Sequence, residues 1–174
     1  MILQTPRLRI RPLTVDDAPF ILELVNEPGW LANIGNKGIH SRDDAEAYIR
    51  NGPMRMYTDR GFGLWAVDLA TNGETIGMCG LIKRDTLVDV DIGFAFLERT
   101  WGNGYAHEAA VATVAHATAV LKLARIVAIT TPANRRSSDL LRKLGFRFER
   151  NVRLGEDGDE LELYALGDDA TAAR

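Results

Sequence analysis

The sequence predicts one α/β (α+β) domain: a mixed sheet whose N-terminal strands run antiparallel, with one parallel pair later on and helices flanking it. Three observations carry that expectation. Asn72 and Gly73 separate two apolar runs, the signature of a β-hairpin. After Phe96 the pattern turns to helix, strand, helix, with lengths that suit one parallel crossover. The 174 residues, 46% hydrophobic and 26% charged, suffice for one buried core and lie far from the composition of a disordered chain. The domain is placed at residues 1–167, with 168–174 as a disordered tail.

Each element follows from local pattern. Residues 8–13, LRIRPL, alternate as a strand, and Thr14 with Asp17 forms a capping box that opens a helix through residues 18–26. The glycine-rich stretch from Asn26 to His40 reads as a loop. Ser41 caps a second helix over 45–51, which Gly52 and Pro53 stop. Residues 62–70 and 75–84 form the hairpin, its turn expected to be type I′. Val88 to Phe96 is apolar enough for a central strand. Val111, Val114, Ala115, Thr118 and Leu121 keep helical spacing and predict the packed stripe of the next helix. Arg125 to Thr131 is a β-branched strand, residues 137–144 a helix ended by Gly145, and 146–154 with 159–166 a closing antiparallel pair around the turn GEDG.

Composition narrows the function classes. A net charge of −3 gives no general electrostatic reason to bind nucleic acid and leaves room for an amine partner. The single cysteine, Cys79, excludes an internal disulfide and a cysteine-based metal cluster, so a cytoplasmic setting is expected. No apolar run is long enough to span a bilayer and MILQTPRLRIRPL holds no signal-peptide core, so no membrane is expected. No two of the three histidines have ligand spacing, and no metal is expected.

Two stretches carry chemistry. In TWGNGYAHEAA, residues 100–110, Gly102 and Gly104 lie between a central strand and a helix. Glycines there let backbone N–H groups converge on an anion, and the helix dipole adds partial positive charge. The loop is a candidate phosphate cradle; the plainer alternative is a tight turn. No G-K-[ST] follows, which removes a Walker loop, and the position after an antiparallel meander removes a dinucleotide fingerprint. In TTPANRRSSDLLRKLGF, residues 130–146, Asn134 stands at a strand end, Ser137 follows, and Gly145 with Phe146 closes the helix.

With both stretches in this order and spacing, the chain resembles the GNAT superfamily of acyl-CoA-dependent N-acyltransferases, whose patterns are [QR]-x-x-G-x-[GA] and N-x-x-[SA] followed by G-F. TPRLRIRPL and WGNGYAHEA are similar to its ribosomal-protein N-terminal acetyltransferase (RimJ/RimL-like) branch, and the resemblance runs from Thr5 to about Leu166. Trp101 stands at the [QR] position, as is common in that branch.

The resemblance implies a splayed parallel pair and acetyl-CoA as cosubstrate. Trp101 and the backbone amides of Gly102, Asn103, Gly104, Tyr105 and Ala106 are implied to hold the diphosphate, and the backbone of Phe94, Ala95 and Phe96 the pantetheine. Asn134 would face the coenzyme arm, or serve as a plain helix cap, and Arg136 would meet the 3′-phosphate or solvent. Many members use a Tyr four residues before the Gly-Phe pair; here that residue is Leu141, so Ser137 is the candidate acid, with a cap as its alternative. Asp91 stands where relatives have Glu and is the candidate base, a solvated strand face being its alternative.

For the acceptor, Trp30, Asn33, His40, Tyr57 and Trp65 are candidate wall residues, each aromatic being equally a core candidate. His107 is expected to pack beside the loop and His116 to face solvent. Cys79, in IGMCGL, reads as a buried strand residue rather than an acyl carrier. The acceptor is a protein N-terminal α-amine or a small amine such as a polyamine, amino acid or antibiotic. A non-catalytic acyl-CoA-binding module is the reading from another class, and the chain is expected to be a monomer or homodimer.

Overall fold

The computed structural model describes residues 3–155 and 158–167, so the predicted tail at 168–174 lies outside the described residues, as do Glu156 and Asp157 of the GEDG turn. Eight strands form one mixed sheet: β1 (Leu3–Gln4), β2 (Leu8–Pro12), β3 (Leu64–Leu69), β4 (Thr75–Ile82), β5 (Asp91–Phe96), β6 (Ile126–Thr130), β7 (Arg147–Arg153) and β8 (Glu160–Leu166). Their order is β1-β2-β3-β4-β5-β6-β8-β7, and only β5 and β6 run parallel. The α/β expectation with one parallel pair therefore holds.

The capping box forms as read: the Thr14 backbone N–H donates to Asp17 Oδ2 at 2.8 Å, and a short 3₁₀ turn leads into α1 (Ala18–Leu24). The stretch from Asn26 to His40 is not all loop, because Pro28 opens α2 (Pro28–Asn33); proline suits a first helical position, where its missing N–H costs nothing. Ser41 caps α3 (Arg42–Ile49) by accepting from the Asp44 N–H at 3.1 Å. Gly52 and Pro53 do not stop that helix. A π-helical turn at Arg50–Met54 absorbs the proline, and the helix continues as α4 (Arg55–Arg60).

The β3–β4 turn is not type I′. Asn72 keeps a negative φ while Gly73 takes +74°, and the Gly73 N–H reaches Leu69 O at 2.8 Å around a longer loop.

Helix α5 (Tyr105–Ala119) packs on a different face from the one its larger residues suggested. Its buried residues are Ala109, Ala110, Thr113, His116 and Ala117, whereas Val111 is 47% exposed. His116 is therefore a core residue, its ring edge-on to Trp65 at 5.6 Å, and His107 is exposed. A face of small side chains brings α5 close to the sheet, where an added methyl costs about 1–3 kcal/mol. Helix α6 (Arg135–Lys143) begins with the Asn134 cap and turns into β7 through Gly145 at φ +89°.

The sheet separates two main clusters. Ile92, Phe96, Ala109, Leu141 and Tyr164 pack on the α5 side, and Leu13, Ile21, Trp30, Ile49, Met78 and Leu97 on the side of α1 to α3.

Candidate active site

The parallel pair makes the site. β5 and β6 share a single bridge, Asp91 opposite Val127, beyond which they diverge and a cleft of about 1560 Å³ opens between them. Residues 92–96 line one side and Ala128, Ile129 and Thr130 the other. The Val127 N–H bonds to Val90 O at 3.0 Å, and strand peptides alternate, so the N–H and C=O of Phe94 point into the gap. The Leu97 N–H reaches Ile76 O on β4 at 2.9 Å, which places the Ala95 peptide on the β4 side by the same alternation. Phe94 is therefore the strand donor turned into the gap, and Ala95 lines the cleft with its peptide held on the β4 side.

The glycine loop closes one end. Gly102 (φ +81°) and Gly104 (φ +79°) take the left-handed conformation that residues with a Cβ resist, and Gly104 caps α5. The amides of Tyr105 and Ala106 lie in the first helical turn, where no intrahelical acceptor exists, and face the cleft with Gly102 and Gly104. Asn103 does not line the cleft: its side chain folds back onto the carbonyls of Thr100 (3.0 Å) and Trp101 (3.2 Å). Trp101 Nε1 donates to Phe96 O at 2.8 Å, and the Arg136 guanidinium lies 4.4 Å over its ring. That stacking joins the two predicted coenzyme segments across the cleft. Behind the indole, a Cβ on Gly29 would fall 2.6 Å from the ring, so α2 fits there only with glycine.

At the far side, Asn134 Oδ1 accepts from the Ser137 N–H at 3.2 Å, the cap its alternative reading foresaw. Ser137 is half-buried and lines the cleft, and its Oγ makes no hydrogen bond among the described residues. Asp91 opens β5 and is 1% exposed, its two oxygens each 3.2 Å from Arg84 Nε. Burial pushes the Asp91 carboxyl above the usual carboxylate range, and Arg84 offsets this only in part. The solvated strand face is thereby ruled out for Asp91. Asp89 instead pairs with Arg125 at 2.9 Å.

Of the acceptor candidates, Trp30 and Asn33 line the cleft, held by Trp30 Nε1 to Gly35 O (3.1 Å) and Asn33 Nδ2 to Gly29 O (2.7 Å). The other three are corrected. Trp65 is a core residue beside His116. The Tyr57 hydroxyl is spent between the Leu13 N–H and Leu64 O, and burial pushes it up to about 12. His40 is exposed and outside the cleft. Cys79 is fully buried, its thiol pushed up to about 12 by burial, against Thr113 Oγ1 at 3.4 Å. It offers no nucleophile.

The sequence reading missed Tyr48, Met56 and Arg84, which also line the cleft. Tyr48 comes one turn before a proline read as a stop, and Arg84 meets Asp91 only through an irregular connection that shows no period. Glu27 and Glu98 join the cleft rim through the Glu98 N–H to Glu27 (2.9 Å) and the Gly29 N–H to Glu98 (2.5 Å). No group of three or more metal-ligating side chains occurs among the described residues, and no described helix is long and apolar enough to cross a membrane.

The comparisons agree with this geometry. The model of the Acetyltransferase (GNAT) domain matches residues 7–147. The uncharacterized protein YkkB of Bacillus subtilis (strain 168) is 27% identical over 154 residues, covering 87% of this chain and 88% of that protein. The crystal structure of an acetyltransferase from Agrobacterium tumefaciens str. C58 superposes with a TM-score of 0.79 at 27% identity, covering 97% and 95% of the two chains. The ribosomal L7/L12 α-N-protein acetyltransferase RimL in complex with coenzyme A gives 0.80 at 18% identity, covering 98% and 99%, a likeness of fold. A cleft between splayed parallel strands, a glycine loop capping a helix and a family model spanning most of the chain make it a member of the GNAT family of acetyl-CoA-dependent N-acetyltransferases.

Proposed function

We propose that the chain moves the acetyl group of acetyl-CoA to the α-amine of a protein or peptide N terminus by direct attack in a ternary complex. The observation that carries this reading is one cleft lined by the first-turn amides of α5, the strand edge at Phe94, Asp91 and Ser137. The amides of Gly102, Gly104, Tyr105 and Ala106 suit a diphosphate, with Arg136 beside them for the 3′-phosphate. The free N–H and C=O of Phe94 suit a pantetheine laid along β5 as an added strand.

The chemistry then balances. Asp91, kept basic by burial, takes a proton from the amine directly or through water. The nitrogen attacks the thioester carbon, the Phe94 N–H stabilises the oxyanion, the C–N bond forms and the C–S bond breaks. The Ser137 hydroxyl, without a competing partner, protonates the leaving thiolate and recovers its proton, through water, from the nitrogen, which sheds its second proton as the amide forms. The apolar wall of Trp30, Ile34, Pro53, Met56 and Met78 suits the first side chain of a peptide. RimL, a ribosomal L7/L12 α-N-protein acetyltransferase, shares this fold, which supports the same choice. The buried Asp91, paired with a part-exposed Arg84 in the same cleft, favours a second reading, a compact amine.

The test is thiol release from acetyl-CoA with a peptide panel and a small-amine panel. Turnover with peptides is expected, and Ser137→Ala is expected to lower kcat about 10–100-fold with KM held. Turnover on small amines alone selects the second reading, and none on either panel leaves a binding module. An unchanged kcat in Ser137→Ala removes the acid role.

A further inference from the structure

Arg7, Thr5 and Glu108 form a cluster on the outer side of the glycine loop that the reaction above does not use. Glu108 Oε2 accepts from Arg7 Nε at 2.6 Å, and Glu108 Oε1 accepts from the Arg7 backbone N–H at 3.0 Å and Thr5 Oγ1 at 2.6 Å. Although burial works against the Glu108 charge, these donors hold its carboxyl below the usual range. So anchored, Arg7 extends Nη1 to the Asn103 carbonyl at 2.9 Å, with its guanidinium 4.7 Å over the Tyr105 ring.

The consequence is stereochemical. In a trans peptide the C=O and the following N–H point to opposite sides. Arg7 holds the Asn103 oxygen outward, so the Gly104 N–H is turned the other way, toward the cleft that Gly104 lines. Gly102 and Gly104 both sit at positive φ, where glycine flips a peptide at little steric cost, so the loop's own sterics do not fix that orientation. We propose that Arg7 is a positioning residue: it locks the Asn103–Gly104 peptide with its N–H facing the diphosphate of acetyl-CoA. The inference rests on the reading that this loop holds the diphosphate.

The experiment compares two acyl donors, acetyl-CoA and acetyl-pantetheine, which lacks the diphosphate. Arg7→Met keeps the stem against Tyr105 and removes the fork; Arg7→Lys keeps the charge and loses the second arm. Arg7→Met is expected to raise KM for acetyl-CoA about tenfold with kcat held, and to leave acetyl-pantetheine turnover unchanged. Arg7→Lys is expected to show the same donor-selective loss, smaller in size. The ¹⁵N amide resonance of Gly104, shifted by coenzyme A in the parent, should respond less in both. Equal losses with the two donors would overturn the proposal, since a fold-supporting residue weakens both alike. Unchanged acetyl-CoA kinetics in both variants would overturn it too. A parent chain that binds acetyl-CoA no better than acetyl-pantetheine would remove the diphosphate reading, and the clamp with it.

Discussion

Two buried carboxylates in this molecule, each paired with a part-exposed arginine, behave in opposite ways. Near the N-terminal edge of the sheet, Asp17 is 8% exposed and receives Arg11 Nη2 at 2.8 Å, Arg11 Nη1 at 2.9 Å and the Thr14 N–H at 2.8 Å. Arg11 also reaches Asp68 through Nε at 2.7 Å, and Thr75 Oγ1 adds a bond at 2.8 Å. Burial alone would raise Asp17, yet its donors hold it below the usual carboxylate range. In the cleft Asp91 has one side-chain partner, Arg84 Nε, at 3.2 Å from each oxygen, and burial wins. The number and closeness of donors, set against the depth of burial, separate a carboxylate locked in its ionised form from one ready to take a proton.

The largest effect should come from Asp91→Asn. If Asp91 is the base, kcat falls about 10²–10³-fold and the acidic limb of the pH profile disappears. Stability should not fall with it. The folded-state value of Asp91 lies above its ordinary one, so the ionised group costs stability at neutral pH, a cost that fades as pH drops through the folded value. A melt that loses several degrees in Asp91→Asn would show that the cleft pair is structural after all.

Next is Arg11→Met, which strands two buried carboxylates. Because Arg11 is 31% exposed, the loss should sit at the lower end for a broken buried pair, about 3 kcal/mol by urea unfolding, with turnover per folded molecule unchanged. Asp17 adds a pH signature. Its folded value is lowered, so its contribution is complete above the ordinary value near 3.8 and is lost as pH falls through the folded value. That acid-side loss should be smaller in Arg11→Met; a parallel pH curve would break the contrast between the sites.

The smallest effect is expected for Arg84→Met. Removing the larger of the two charges that lower Asp91, Lys83 being the other, moves the acidic limb of kcat/KM to higher pH while the plateau rate holds. A limb that stays in place would assign the titration to another group.

Most of the fold and the glycine-loop side of the cleft could be read in the sequence, and the helical wall around Tyr48 and Met56 could not. Asn134 and Gly104 announce themselves because a cap and a positive φ restrict residue type locally. The Asp17 box was legible for the same reason. By contrast, α2 is one and a half turns long, too short to show a period, and the Pro53 stop failed because a π turn is a backbone solution with no composition of its own. The face of α5 was misread because large residues dominate any hydrophobic pattern, whereas close packing on a sheet selects Ala109, Ala110 and Ala117. Trp65 and Tyr57 are aromatic for reasons of core and hydrogen bonding, which residue type alone cannot tell from recognition.

The lone bridge between β5 and β6 also leaves one sheet made of two ladders, β1 to β5 and β6-β8-β7, that meet at a single point. A coenzyme laid along β5 would then be part of the protein's architecture as well as its reactant. Ligand present at a hundred times its dissociation constant adds about 2.7 kcal/mol to the folded state. The acyl-CoA supply of the cell would set how long this enzyme survives proteolysis as well as how fast it works, so starvation for the donor would thin the population of the catalyst itself.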